Sequence, residues 1–598
     1  MSTLVITRAT VHDGRGGAGR VADVVVRDGV VTAVGPGAGT SVVEAGRASA
    51  ARGAVAGSAD RAGGGAAEHA PGDAPQVIDG HGLEVLPGFV DVHAHDDAAL
   101  FRPGGTAPKT AQGVTTTIVG NCGQGAAPSP VDPADRSLEQ YSLPVLGEFP
   151  DRRWATFGDY VETLAREPLG LHARALVPHA PVRAAVLGMV RRPADAAETA
   201  RIAGAVGDAL DAGALGVSLG LMYAPGDAAD RPELLATARE VAARDGLLVA
   251  HVRNEADGLR ASVDELASLG LETGARVHVS HLKVTGPRNV GGMGRIIDRL
   301  DALRDQGLDV SADVYPYDAG STTVASLFPP STADRGVASL LEALSDPVSR
   351  RAVLAGLDRP WQGTGLENQW AAVGPSRILL AGFARPENAG LEGRSVADIA
   401  VELGGDPREV LADLVLAERG ALTVIVFHTD VEGMRTALAW PHTLVGSDGL
   451  PRETGTVHPR LYGTFARVLD VYSGTGPSAV LSREEAVHRM SVAAHERFRL
   501  GADRARGGGG GSGASGGTAA GPGAAGPGAV VQGAVMPGGV VPGAVADLQL
   551  VDPAAYADRA TYAEPRRSPS GVLGVWVAGE LVAGELAAWP VGGEPAGG

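Results

Sequence analysis

Cysteine is almost absent: Cys122 is the single one in 598 residues, which excludes an internal disulfide framework. Lysine is nearly as scarce. Of 51 basic residues only Lys109 and Lys283 are lysines, so the other 49 are arginines. No apolar run approaches the roughly 20 residues needed to span a bilayer. The segment from Met1 to Ile6 lacks a basic stretch followed by an apolar one, so no signal peptide is read there and a cytoplasmic location is expected. Positive charge is also in deficit. A formal net charge of −18 argues against nucleic acid or an anionic membrane as partner, since both reward a basic surface. What remains is a globular composition, 44% hydrophobic and 20% charged, in a chain long enough for a large catalytic domain and a smaller one.

Two stretches read as additions to a folded core. Residues 35–75 are Gly/Ala/Ser-rich without sustained periodicity, and residues 505–545, with Gly507 to Gly511 and repeated Pro-Gly steps, have the composition of a flexible linker. Short strand-like runs flank them at 4–7, 21–27 and 30–34, and again at 546–551 and 572–577. These predict one small β-domain assembled from both chain ends, residues 1–85 and 546–598. Residues 86–500 carry a different pattern, in which apolar runs of a few residues alternate with helix-like segments, as in βα units around a parallel sheet. Eight such runs lie at 86–92, 114–119, 173–177, 215–219, 247–250, 276–280, 308–314 and 443–446. Eight units predict an α/β fold of the (β/α)8 TIM-barrel type, with its active site at the C-terminal strand ends. The long gap before the last run contains helical patterns at 396–403 and 410–418, which suit either a lid or packing helices.

The metal-type side chains fall at those strand ends. His93 and His95 follow the first run at i, i+2, Cys122 follows the second, His251 the fifth, His281 the sixth and Asp448 the eighth. Strand alternation groups His281 with Val277 and Val279 and turns His278 the other way, toward the helices. Imidazole and thiolate suit zinc, and six donors exceed one tetrahedral site. A binuclear centre follows if one group bridges, as a thiolate can. Metal-bound water then reaches a pKa near 7, and Asp448 is the candidate to carry its proton. Singly, each residue has a blander reading: a core histidine, a small buried cysteine, or a Ser447-Asp448-Gly449 turn. Their joint placement on one barrel rim outweighs those readings.

The motifs around these residues resemble a known family. Pro87-Gly88-Phe89-Val90-Asp91-Val92-His93-Ala94-His95 looks like the first-strand signature of the amidohydrolase superfamily. Gly120-Asn121-Cys122-Gly123, His251-Val252-Arg253-Asn254-Glu255, Ser280-His281-Leu282-Lys283, Asp313-Val314-Tyr315-Pro316-Tyr317, Gly446-Ser447-Asp448-Gly449 and His458-Pro459-Arg460 together resemble the D-aminoacylases, or N-acyl-D-amino-acid deacylases. The likeness runs over about residues 1–500 and resumes near Ala546-Asp547-Leu548. It implies a barrel with a small β-sandwich from both termini. It implies a tighter zinc on Cys122, His251 and His281, and a second, weaker site on His93, His95 and Asp448 with Cys122 shared. Asp448 would be the catalytic acid and base, and Tyr223, Lys283, Tyr315 and Arg460 would line the pocket of a small N-acyl amino acid and hold its carboxylate. Two features depart from the pattern: Gln124 stands where the family often has an aromatic, and residues 451–457 are unusual in composition.

The nearest rival is a cyclic-amide hydrolase of the hydantoinase or dihydroorotase kind, which bridges its metals with a carboxylated lysine on the fourth strand. Here that strand ends Val217-Ser218-Leu219-Gly220, without lysine. A mononuclear deaminase would need neither Cys122 nor an anion-binding pair, and a non-catalytic barrel would have lost ligands.

Overall fold

The computed structural model describes residues 3–44, 75–130, 132, 134–149, 152–361, 363–501 and 538–588. Most of the 35–75 and 505–545 stretches lie outside the described residues. The central body is a parallel barrel of eight strands: β1 (Phe89–Asp91), β2 (Val114–Val119), β3 (His172–Ala175, resuming as Val177–Pro178), β4 (Gly216–Gly220), β5 (Leu247–His251), β6 (Arg276–Val279), β7 (Val310–Val314) and β8 (Thr443–Val445). Each pairs in parallel with the next, from β1 through β8. The ring closes between β8 and β1, where the Asp448 N–H donates to the His93 carbonyl at 2.8 Å and Ala94 bridges Gly449.

Alternation along the strands separates an inner from an outer core. Val90, Ile118, Leu176, Val249 and Leu444 come from five strands yet form one cluster with Phe498, which only the barrel interior allows. Their neighbours, such as Val217, Leu248, Val277 and Val310, pack outward against helix residues including Leu234, Leu266 and Leu300. This corrects the expectation for His278. It is paired in register with Val249, packs 5.6 Å from the Phe498 ring and faces the interior, whereas Val277 and Val279 face the helices. His281 nevertheless reaches the mouth because it lies past the strand end with φ 34°, where strict alternation no longer holds.

The apolar run at 86–92 divides between two sheets. Glu84–Pro87 pairs with Thr3–Val11 and with Leu548–Val551, while the barrel strand starts only at Phe89. That small sheet has eight strands. Its order is Glu580–Ala583, Val572–Val577, Leu548–Val551, Glu84–Pro87, Thr3–Val11, Arg20–Arg27 and Val30–Gly35, with Gln76–Asp79 also on Thr3–Val11. Leu4, Ile6 and Val24 from one chain end share its core with Leu548, Leu550 and Trp576 from the other.

Between β7 and β8 the chain builds an insert with its own core of residues such as Phe328, Leu340, Leu357, Leu411 and Val424. It carries an antiparallel sheet ordered Gly320–Thr323, Thr423–Val426, Ile378–Ala381. The two helical patterns seen there are the helices Val396–Leu403 and Pro407–Ala417, and they pack within this insert. Among the described residues no helix is long and apolar enough to cross a membrane.

Gly88 is the joint between small sheet and barrel. Its N–H donates to the Asp547 carbonyl at 2.8 Å, and a Cβ there would run into the Thr115 side chain. Gly88→Ala is expected to destabilise the fold by about 1–3 kcal/mol, the usual cost of overpacking a core. Calorimetry should record a lowered Tm; an unchanged Tm would mean that the joint has room to spare.

Candidate metal centre

Six side chains from five strand ends converge at the barrel mouth. Three of them, Cys122, His281 and Asp448, have left-handed backbone conformations, with φ 53°, 34° and 49°. Such a conformation costs a non-glycine residue about 1–3 kcal/mol and turns the chain sharply. Here it swings each side chain across the mouth directly after its strand. Room for the Cys122 turn comes from Gly220 at the end of β4, where a Cβ would strike the Cys122 carbonyl.

Cys122 Sγ lies 3.2 Å from His93 Nε2 and 3.3 Å from His281 Nε2. His95 Nε2 is 3.1 Å and His93 Nε2 3.5 Å from Asp448 Oδ1. The donor atoms fall into two groups, His93/His95/Cys122/Asp448 and Cys122/His251/His281, each spanning no more than 4.8 Å. Cys122 belongs to both.

The donor chemistry fits divalent metal. With zinc–sulfur and zinc–nitrogen bonds of about 2.3 and 2.0–2.1 Å, a tetrahedral edge from sulfur to nitrogen is about 3.6 Å, within a few tenths of the spacing around Cys122. Both ring nitrogens of the buried His251 lack a hydrogen-bond partner among the described residues, as a histidine waiting for a metal would. Burial pushes the Cys122 thiol pKa up, but His93 and His281 outweigh it and hold the group well below the usual thiol range. Burial likewise opposes ionised Asp448, yet Arg460 and His93 keep its pKa well below that of an ordinary carboxyl.

A second layer of carboxylates orients the imidazoles, the usual arrangement around metal ligands. Asp313 faces His93 Nδ1 at 3.2 Å, pairs with His278 Nε2 at 3.0 Å and accepts from the His281 N–H at 2.9 Å. Glu255 lies 3.1 Å from His281 Nδ1 and accepts from Lys283 Nζ at 2.6 Å. The residue motifs contained both acids, at the end of the 251–255 motif and the start of the 313–317 motif, but their roles were not read from them. Glu367, which accepts from the Glu255 N–H at 2.9 Å, and His428 carry no such sequence signal because they sit in the insert.

A cavity opens on this site. Its walls include five of the six candidate ligands and all four candidate substrate residues, Tyr223, Lys283, Tyr315 and Arg460. His93 lies beneath it, fully buried. Arg460 reaches Asp448 Oδ2 at 2.9 Å, and its guanidinium stands 4.6 Å from the Tyr315 ring centroid. The unusual 451–457 loop leads into His458, whose Nε2 donates to the Ala319 carbonyl at 2.9 Å and whose Nδ1 accepts from the Arg460 N–H at 3.0 Å. Tyr223 pairs its hydroxyl with Thr322 Oγ1 at 3.0 Å and packs edge-on against His251. Gln124 lines the same cavity, and the insert contributes Thr322, Gln369 and His428 to its wall. Burial, with Lys283 nearby, holds the His428 pKa down at about 3, so this imidazole adds no positive charge at neutral pH.

Residues 76–508 match the amidohydrolase family. The D-aminoacylase of Alcaligenes xylosoxydans xylosoxydans is 30% identical over 508 residues, covering 83% of this chain and 84% of that protein. The N-acyl-D-aspartate deacylase of the same organism is 30% identical over 580 residues, covering 96% and 91%. The crystal structure of N-acyl-D-glutamate deacylase from Bordetella bronchiseptica, complexed with zinc and a phosphonate mimic of the tetrahedral intermediate, aligns with a TM-score of 0.71 at 29% identity. That alignment covers 97% of this chain and 96% of the other. With its closed barrel and a family match over most of its length, the chain belongs to the amidohydrolase family and stands within it beside the D-aminoacylases.

Proposed function

We propose that this protein is a zinc-dependent deacylase that hydrolyses N-acyl-D-amino acids to a carboxylate and a free D-amino acid. The observation that carries the reading is the position of Cys122, whose sulfur serves two donor groups at once. Its D-selectivity rests on the kinship with D-aminoacylases and N-acyl-D-amino-acid deacylases. Cys122, His251 and His281 are assigned the tighter zinc, and His93, His95 and Asp448, with Cys122 shared, a weaker second site. Zinc at these donors would supply Lewis-acid polarisation of the acyl carbonyl and lower the pKa of water toward neutrality.

The protein's own groups then divide the work. Asp448, whose Oδ1 faces His95, takes a proton from the attacking water at its carboxylate. As the C–N bond breaks, it returns that proton to the departing nitrogen, so the amine leaves neutral and the acyl carbon keeps the water oxygen. Arg460 holds the other carboxylate oxygen and fixes the acid's orientation. Arg460 and Lys283, with Tyr315 between them, form the cationic wall for the substrate's α-carboxylate. Glu255 keeps Lys283 charged and in place. Tyr223, beside His251, contacts the substrate next to the tighter site.

The buried, unpaired Cys122 suits a reducing compartment, and we read the location as cytoplasmic, with a small N-acyl amino acid as the substrate. Residues from Phe89 to 500 are read as the hydrolase barrel, and those up to Pro87, with 546–598, as the small domain.

Cys122→Ala removes the ligand common to both sites, so metal analysis of the purified variant should give well under one zinc per chain. Full zinc content would contradict the assignment. Asp448→Asn keeps the tighter site intact. Its kcat on an N-acetyl-D-amino acid should fall about 10²- to 10⁴-fold, the usual contribution of a positioned acid–base group. Near-wild-type turnover in that variant would remove Asp448 from the mechanism.

A further inference from the structure

Arginine fills 49 of the 51 basic positions, so a lysine calls for a reason. Lys283 has one in the cavity wall. Lys109 lines no part of that cavity, yet it is only 1% exposed and lies directly behind the strand ends that carry His93 and Asp448. Its ammonium donates to Asp91 Oδ2 and to Ser447 Oγ, the latter at 2.6 Å, and stands 3.5 Å from Asp96 Oδ2. Three acceptors from three directions converge on one nitrogen. A lysine point charge with three rotatable donors satisfies that arrangement, whereas the planar five-donor fork of arginine would strand buried N–H groups.

The partners of Lys109 tie β1 to the turn after β8. Ser447 Oγ accepts from Lys109 and from the Gly449 N–H at 3.0 Å, and donates to Asp91 Oδ2 at 2.6 Å. Asp91 Oδ1 accepts from the Ser447 N–H at 2.8 Å and from the His93 N–H at 3.2 Å. Thus one carboxylate grips the backbone on the N-terminal side of both His93 and Asp448. Asp448 itself sits in a left-handed turn with φ 49°, a conformation that persists only where surrounding contacts enforce it.

We propose that Lys109, Asp91 and Ser447 form a clamp that positions the Asp448 carboxylate and sets the strength of the His93/His95/Asp448 site. They are positioning residues, acting through the backbone of the Ser447-Asp448-Gly449 turn. The inference rests on the reading of Asp448 as the proton carrier.

Ser447→Ala cuts the hydroxyl links and leaves the Lys109–Asp91 ion pair in place. In the zinc-loaded enzyme, kcat on an N-acetyl-D-amino acid should fall about tenfold to a hundredfold, the typical loss when an outer contact of a metal site is removed. KM should stay within about twofold, because Tyr223, Lys283, Tyr315 and Arg460 are unchanged and uniform binding through them would be unaltered. Chelator competition should show the weaker zinc site losing about tenfold in affinity and the tighter one unchanged. Lys109→Met, if it folds, should reproduce this pattern. A folded Ser447→Ala enzyme with wild-type kcat and wild-type affinity at the weaker site would overturn the clamp. So would equal losses at both zinc sites, which mark general disruption. If wild-type protein hydrolyses no N-acyl-D-amino acid, the functional reading fails and the clamp's role in it falls too; if wild type is active and Ser447→Ala matches it, the clamp alone fails.

Discussion

One sulfur atom has to satisfy two sets of donors, and much of the barrel mouth is arranged around that requirement. Cys122 stands 3.2 Å from His93 and 3.3 Å from His281, on nearly opposite parts of the ring of strands. A buried thiolate is costly unless positive charge surrounds it, so the site concentrates imidazoles on it and sets Asp313 and Glu255 behind those rings. The same requirement explains the strained backbone. A side chain continuing a strand's alternation would point up or outward, whereas the left-handed turns at Cys122, His281 and Asp448 fold their side chains inward. Glycines supply the clearance, as at Gly220 under the Cys122 carbonyl.

Charge is balanced in layers outward from the sulfur. Lys283 is matched by Glu255, Arg460 by Asp448, and Lys109 by Asp91 and Asp96. Each of these groups is nearly or fully buried, so removing one partner would leave an uncompensated charge in a poorly solvated place. The pairs differ in what they can exchange. Lys283 and Arg460 face the cavity, where in the proposed reading a substrate carboxylate would join them. Lys109 is sealed behind the strands, away from the cavity.

Much of this was legible in the sequence. Apolar runs at βα spacing gave the eight barrel strands within a few residues of their observed positions, because buried parallel strands read as short continuous apolar segments. The candidate ligands were legible for a related reason: in a (β/α)8 barrel, strand ends are where functional groups gather. What failed was local. The run at 86–92 hides a change of sheet at Gly88, since both halves are apolar and only tertiary contacts with Thr115 and Asp547 divide them. The side-chain parity of His278 and His281 was misassigned because alternation stops at a residue with positive φ, which no periodicity reports. Glu367 and His428 enter the site from the insert, through contacts far apart in sequence, and so had no neighbouring motif to mark them.

A thiolate bound to metal is the central requirement of this site. X-ray absorption at the zinc edge of the purified, zinc-loaded protein measures that directly. It should reveal a sulfur neighbour at about 2.3 Å together with nitrogen and oxygen neighbours at about 2.0–2.2 Å. A first shell of nitrogen and oxygen alone would contradict it, and would leave Cys122 a buried thiol beside a site built some other way.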